Sequence, residues 1–209
     1  LGEPETESWS GGPLAGRSVT TSRDSFGRRQ GVTTSVSGFQ SQNVTAYDPA
    51  GRPAIITAGS HTATYRYVAN SRIRAGVTYR ANATQRLDTQ YDFDRLNRLQ
   101  QVLNQPSAAG QPAERHAYTY NAAQQRIRDE LADGSSWNWE YDRLGQVIGG
   151  RKSWPDGSPV AGEQFEYGFD DIGNRVSQKR GGDANGANLR STTYVVNPLN
   201  QITNRTVVG

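Results

Sequence analysis

One seven-residue segment recurs along the chain, and its repetition constrains the fold more than any other feature. Its clearest copy is Tyr141-Asp142-Arg143-Leu144-Gly145-Gln146-Val147. An aromatic residue precedes an Asp or Asn, two variable positions follow, and Gly or Asn comes next. The Asp position recurs at a mean step of about 25 residues, within the range of repeat architectures. It is occupied in successive copies by Asp24, Asp48, Val68, Asp94, Asn121, Asp142, Asp170 and Asn197.

Each copy has the chemistry of a hairpin tip. An Asp or Asn side chain can accept hydrogen bonds from the backbone amides of its own turn. The fourth position needs a positive φ, which Gly adopts freely and Asn tolerates. A type I turn followed by such a residue is a common hairpin connection. The fourth position holds Gly27, Gly51, Asn97, Gly145, Gly173 and Asn200, whereas Ser71 and Gln124 depart from the pattern.

Aromatic residues stand one and three positions before the Asp position in most copies. A spacing of two places both rings on one face of a strand, a surface that aromatic side chains favour. Two interpretations stay open: a ladder that stacks from repeat to repeat, or a platform that stacks against sugars. The rings at the nearer position are Tyr47, Tyr67, Phe93, Tyr120, Tyr141 and Phe169, and those at the farther one are Tyr65, Tyr91, Tyr118, Trp139 and Tyr167.

The repeats predict an all-β fold, a repetitive strip of antiparallel hairpins. A second family of turns alternates with the tips, and the alternation describes a meander. Residues 84–103 carry leucines at helical spacings, but the tip at Phe93-Asp94 and its Asn97 favour strands. We expect an irregular connector or divergent repeat over residues 1–20 and a repeat array of about eight units over residues 21–209.

Arginine dominates the basic side of the composition, because Lys152 and Lys179 are the only lysines among 23 basic residues. Guanidinium groups stack on rings and bond carboxylates, so they suit cross-links between strands. Binding of polyanions is the alternative. The 20 acidic residues are interspersed among the basic ones, and no nucleic-acid surface is predicted. The absence of Cys excludes disulfides, and the absence of Met even at position 1 suggests a piece of a longer polypeptide.

The Tyr-Asp-x-x-Gly-Arg core, and above all the segments 141–147 and 165–175, resembles the YD-repeat or RHS-repeat family of large bacterial exported proteins. The resemblance extends over about residues 24–202. It implies a curved or spiralling strip that forms part of a hollow shell, which in toxin systems encloses a C-terminal effector. Related animal proteins use the shell in cell adhesion. The self-cleaving segment of polymorphic toxins has no match here, so no cleavage residue is transferred. The implied location is extracellular or at a bacterial cell surface.

No combination of residues typical of catalysis, metal binding or cofactor binding is evident. His61 and His116 lie far apart in the sequence and lack partners at recognisable spacings. The Asp residues are explained by turn capping better than by paired glycosidase carboxylates. The loop 183–188 has oxygen ligands and a Gly but departs from the order of a calcium loop, so calcium and a solvated loop both stay open. We predict neither an enzyme nor a cofactor.

Three function hypotheses follow. The first is a structural segment of a shell that encapsulates a toxin cargo or forms an extracellular assembly. The second is a cell-surface adhesin that binds glycans or polyanions, and the third is an enzyme. Expected partners are further repeats of the same chain, other copies of it, an enclosed toxin or a glycan, with no nucleic acid. No apolar run has the length of a membrane span, and no signal peptide begins the sequence.

Overall fold

A computed structural model describes residues 5–36 and 39–208, apart from the side chains of residues 39–42. The regular structure in this range is seventeen β-strands and one short 3-10 turn, Gly12–Leu14. The chain forms two compact units. The first comprises Leu1–Asp92 and Leu103–Ala113, and the second comprises Phe93–Val102 and Glu114–Gly209.

The first unit is an antiparallel meander in which each strand pairs with the next along the chain. Its pairing begins with Thr6 opposite Thr20. The strands are β1 Thr6–Trp9, β2 Arg17–Arg23, β3 Arg29–Val36, β4 Phe39–Tyr47, β5 Pro53–Ala58, β6 His61–Tyr67, β7 Arg74–Ala81 and β8 Thr84–Phe93, whose last residue belongs to the second unit.

Strand β9, Leu99–Pro106, contributes residues to both units. From β10 onwards the second unit repeats the antiparallel meander. Its strands are β10 Glu114–Tyr120, β11 Arg126–Leu131, β12 Ser136–Tyr141, β13 Val147–Ser153, β14 Pro159–Phe169, β15 Arg175–Gly181, β16 Leu189–Val196 and β17 Ile202–Val208.

The predicted all-β class and the antiparallel hairpins are confirmed. The stretch 84–103, for which a helix was the alternative, forms most of β8 and β9 around a turn. Residues 1–20 contain β1 and the first part of β2, and their description as a connector or divergent repeat stays a prediction. In the part of the chain that the structure describes, no helix is both long and apolar enough to span a membrane.

A β-bulge accompanies the hairpin tips. The pairing register shifts at the residue before the Asp position, for example between Thr119 and Tyr120 and between Glu140 and Tyr141. A bulge inserts one extra residue into a strand and so interrupts the alternation of its side chains. As a result, the first residue of the return strand lies on the same face as the tip ring opposite it, as Arg126 does opposite Tyr120.

The second unit has two chemically different faces. One, the aromatic face, carries the rings of His116, Tyr118, Trp137, Trp139, Phe165, Tyr167 and Tyr194. The other, the paired-charge face, carries Arg115, Arg128, Glu130, Arg151, Glu166 and Lys179. These assignments follow from the strand register, because side chains alternate between the faces.

Few apolar side chains are fully buried. Among the residues that the structure describes, Val77 is the only hydrophobic residue that is almost completely buried. Several polar groups are buried instead, among them Thr78 and Gln164. Such a sheet gains little from burial within one hairpin, so contacts between neighbouring hairpins have to supply much of its stability.

Candidate functional site

The hairpin tips share one geometry, which Asp142 illustrates. Its N–H donates to the carbonyl of Gln146 at 3.0 Å, and the N–H of Gly145 donates back to the carbonyl of Asp142 at 3.2 Å. One carboxylate oxygen accepts from the N–H groups of Leu144 and Gln146 at 2.9 and 2.8 Å. The residues with positive φ at the fourth position are Gly27, Gly51, Asn97, Gln124, Gly145, Gly173 and Asn200.

The third tip has a turn one residue longer than the others, and the prediction that Ser71 holds its left-handed position is wrong. Val68 has no side-chain oxygen to cap the turn, and its N–H donates to the carbonyl of Ile73, one residue farther along than in the other tips. The left-handed residue is Asn70, with φ 55°, rather than Ser71. Ser71 acts as a partial cap instead, since its Oγ accepts from the N–H of Ile73 at 3.0 Å.

Three tips fix an arginine against the capping Asp. In each, the Nε of the residue after the left-handed position donates to the second carboxylate oxygen of the Asp at 2.7 Å. The same carboxylate therefore holds the turn backbone with one oxygen and the guanidinium with the other. The pairs are Asp24 with Arg28, Asp48 with Arg52, and Asp94 with Arg98.

These arginines also reach the next repeat. The guanidinium carbon lies 4.2 to 4.6 Å from the ring centre of the tyrosine at the following tip, a cation–π geometry. The pairs are Arg28 on Tyr47, Arg52 on Tyr67 and Arg98 on Tyr120.

The tip tyrosines add a direct bond to the preceding repeat. Tyr47, Tyr67, Tyr120 and Tyr141 each donate a hydroxyl hydrogen bond of 2.6 to 2.7 Å to a backbone carbonyl at the start of the preceding return strand. We call the hydroxyl bond, with the stacked arginine where present, the tip link. It joins the first three tips in the first unit and the tips at Asp94, Asn121 and Asp142 in the second.

Other tips use neutral groups in the same positions. Asn121 Nδ2 donates to Oε1 of Gln125 at 2.6 Å, and Asn197 pairs with Gln201 at 3.1 Å. Asn174 donates to Asp170 at 2.9 Å. These tips replace the arginine of the charged tips with an amide side chain, so the turn does not depend on an ion pair.

Turns at the opposite strand ends use related chemistry. At residues 183–187 the Asp183 carboxylate accepts from the N–H groups of Asn185 and Ala187 and from Asn188 Nδ2. Turn capping thus occupies the carboxylate that suggested calcium. No group of three or more His, Asp or Glu side chains suited to a metal occurs within the described parts of the chain. The two-residue turn Asn82-Ala83, with φ 49° and 64°, was not predicted, and Asn82 was its only sequence signal.

The third position of five tips carries a large apolar side chain that projects into solvent. These side chains are 65 to 80% exposed, and nothing in the sequence analysis singled them out. In the first unit this side chain is Phe26. In the second unit it recurs at four tips along one edge of the strands and forms an apolar row, which consists of Leu96, Leu144, Ile172 and Leu199.

Several rings that precede the tips contact one another, mainly along one strand, and the contact between repeats is made by Trp137 and Phe165, which lie outside the predicted ring positions. Phe165 and Tyr167 have ring centres 5.0 Å apart, and Trp137 stacks on Trp139 at 6.5 Å with planes 8° apart. Trp137 also meets Phe165 at 6.1 Å across β13. Most of these rings are only half-buried, so the sugar-platform interpretation stays open.

His116 has a partner that its sequence spacing did not reveal. Its Nδ1 lies 2.8 Å from Oδ2 of Asp129 on the neighbouring strand, and its ring stacks on Tyr118. The contact depends on the β10–β11 register, which spacing alone does not specify. The imidazole supplies a partner for Oδ2 of this buried carboxylate, whereas Oδ1 is buried without a hydrogen-bond partner in the described part of the chain.

Acid should weaken the charged tips. The hydrogen bonds from the backbone N–H groups of Arg52 and Arg98 lower the pKa of Asp48 and Asp94 below the usual value of 3.8, against the opposing effect of burial. Because the folded-state pKa is the lower one, the stabilisation is complete above the unfolded pKa and disappears as the pH falls through the folded value.

We expect the melting temperature of the protein to decrease as the pH is lowered below about 4. The decrease should be smaller for a D48N/D94N variant, which lacks the two carboxylates. Circular dichroism melts at matched ionic strength measure this. Parallel pH curves for the two proteins would contradict the assignment of the charged tips.

The fold and tips together define a class, a repeat protein of antiparallel hairpins joined by tip links. No protein-family model matches the sequence, and the curated proteins contain no match to it. Solved structures do share the fold. A TcdB2–TccC3–TEV complex matches with TM-score 0.57 and 15% identity over 86% of this chain. The Photorhabdus luminescens Tc holotoxin pore, with a mutated TccC3, gives 0.56 and 14% over 90%.

A TcdB2–TccC3 structure without its hypervariable C-terminal region gives 0.51 and 13% identity over 89% of this chain. In each comparison the chain spans 12% of the length of the protein it matches. At sequence identities this low, the similarity shows a shared fold alone.

Proposed function

We propose that this chain belongs to the YD/RHS-repeat family and forms a wall segment of a hollow shell. The shell encloses a toxin or effector cargo, or builds an extracellular assembly outside a bacterium. The segment has a mechanical role: its hairpins hold a continuous surface and carry out no catalysis. The observation that carries this proposal is the tip link, since its bonds join one repeat to the next.

The exposed apolar side chains at the tips and the exposed strand β17 favour association with further repeats or with other copies of the chain. The apolar row at the tips projects from a sheet with little buried core. Strand β17 pairs with β16 along one edge, and all seven of its residues are exposed. An exposed strand edge recruits further strands. More repeats of the same protein, or other copies of it, would satisfy both features.

The isolated 209-residue chain should therefore associate in solution. Light scattering across a concentration series should give a mass above 22.9 kDa that rises with concentration. Thr206→Lys places a charge on the edge strand and should lower that mass, because charged edges discourage strand pairing. Ser107→Lys adds the same charge at an exposed site outside the strands and serves as the matched control. A clean monomer at all concentrations would contradict the expectation.

Cryo-electron microscopy of the complete gene product tests the wall function itself. We expect residues 5–208 to line an enclosed cavity, with one face of the hairpins inward and the tips against neighbouring repeats. Density in which this segment stands apart, with both faces in solvent, would overturn the proposal.

Adhesion is the second candidate function. The half-buried rings of the aromatic face favour it, since stacking on sugars needs accessible ring faces. Both functions are compatible with the same strip, because a wall has an outer surface. A glycan array probed with the labelled chain separates an adhesive wall from a passive one.

A further inference from the structure

Charges are distributed unequally between the two faces of the second unit. On the paired-charge face, the cations form ion pairs: Arg115 and Arg128 lie 2.6 and 3.5 Å from Glu130, and Lys179 lies 3.0 Å from Glu166. The aromatic face carries a set of arginines that form no ion pair within 4.0 Å among the residues that the structure describes. These are Arg126, Arg175, Arg180, Arg190 and Arg205.

A groove on the aromatic face combines one of these arginines with several rings. Its cavity has a volume of about 560 Å³. The principal lining side chains are Tyr120, Arg126, Trp139, Tyr141, Phe165 and Tyr167. Ligand sites are typically concave and mostly apolar, with few polar groups that fix orientation. Here Arg126 is the single cation among five rings.

Arg126 is held in place but not satisfied. Its guanidinium carbon lies 3.7 Å from the ring centre of Tyr118. Its Nε is buried and has no hydrogen-bond acceptor in the described part of the chain. A donor buried without an acceptor is unfavourable, so the described chain offers Arg126 no acceptor at Nε that would compete with an anionic ligand for the guanidinium.

Two acids of the aromatic face already contact the His116 imidazole. Asp129 pairs with His116 at 2.8 Å, and Glu114 lies 3.9 Å from the same imidazole. Glu163, two residues before Phe165, is exposed. None of the three is an ion-pair partner of Arg126, so the guanidinium is free to contact an external anion.

The composition of the groove selects the ligand class. Pyranose rings have apolar faces that stack on aromatic side chains, and a guanidinium binds a carboxylate through two parallel hydrogen bonds. Single-stranded nucleic acid carries one charge per base and requires a row of cations along its backbone. Five rings with one cation favour a ligand with sparse charge and several stacking faces.

We propose that this groove binds an acidic saccharide, with the rings of Trp139, Tyr141 and Phe165 stacking on sugar faces and Arg126 bonding the carboxylate. The site does not depend on the wall function, because it needs only the second unit and its solvent-facing rings. It deepens the adhesive alternative by naming the ligand and its contacts.

Binding of aldotetraouronic acid, a xylotriose that carries one glucuronic acid carboxylate, tests the proposal when measured by isothermal titration calorimetry on the 209-residue chain. Xylotetraose serves as the neutral saccharide of equal length and a dT12 oligonucleotide as the nucleic-acid probe. We expect the aldotetraouronic acid to bind at least ten-fold more tightly than either. Arg126→Gln and Trp139→Leu should each weaken binding about ten-fold, which corresponds to about 1.4 kcal/mol.

Arg128→Gln is the matched control, since Arg128 lies two residues away, on the paired-charge face. It should leave the affinity unchanged, and melting curves verify that each variant is folded. Equal losses for the two arginine variants would indicate general charge attraction and overturn the site. Preference for dT12, equal binding of xylotetraose, or no binding of the aldotetraouronic acid would overturn it as well.

Discussion

Replacing Gly150 with alanine should destabilise the second unit by about 1–3 kcal/mol, the usual cost of overpacking. A Cβ at this position would lie 2.1 to 2.9 Å from three ring atoms of Phe165, because that ring lies across the glycine. Phe165 would have to swing away, and its contacts with Trp137 and Tyr167 would be lost. Urea unfolding followed by tryptophan fluorescence measures the change.

Gly149→Ala provides the control from the adjacent residue. Its Cβ would point to the other face, where the nearest atom, Oε2 of Glu140, is 3.6 Å away. This is an ordinary van der Waals distance, so we expect a change within about 0.5 kcal/mol, typical of harmless substitutions. Equal costs at positions 149 and 150 would mean that the ring does not lie over Gly150.

Replacing Gly145 with valine should cost about 1–3 kcal/mol through backbone strain. Its φ is 84°, in the left-handed region that a β-branched residue avoids. Gly145→Asn is the matched comparison, since Asn97 and Asn200 occupy the same position in other tips with φ 58° and 61°. Thermal unfolding of both variants should rank asparagine well above valine, and equal midpoints would contradict the tip geometry.

The hairpin tips could be predicted from the sequence because their chemistry is local. An Asp that caps its own turn, followed by a residue with positive φ, is defined within five residues. The same locality explains the failure at the third tip. Val68 supplies no cap, so the loop lengthens by one residue and Asn70 takes the left-handed position.

Contacts across strands could not be predicted in this way. The tip link joins residues 14 to 21 positions apart, and its partners depend on strand register. The pairing of His116 with Asp129 depends on register as well. Both contacts use residues that the sequence does mark, but the distance between them along the chain is not fixed by any motif.

The different charge content of the two faces could not be predicted from the sequence either, because it depends on the position of a β-bulge. Simple alternation would place Arg126 and Arg128 on one face. The bulge between Thr119 and Tyr120 inserts Ile127, so Arg126 lies opposite Tyr120 and Arg128 opposite Thr119. A sequence in which acids and bases are interspersed therefore folds into one face with paired charges and another with unpaired arginines and rings.

The central claim is that the tips stand side by side along one edge, joined hairpin to hairpin. The chain contains no cysteine, so spin labels can be attached at Leu144→Cys and Leu199→Cys and their separation measured by pulsed electron paramagnetic resonance. Four strand spacings separate these tips, which predicts a narrow distribution near about 20 Å. A distribution centred beyond about 30 Å, or as broad as that of an unfolded chain, would contradict the claim.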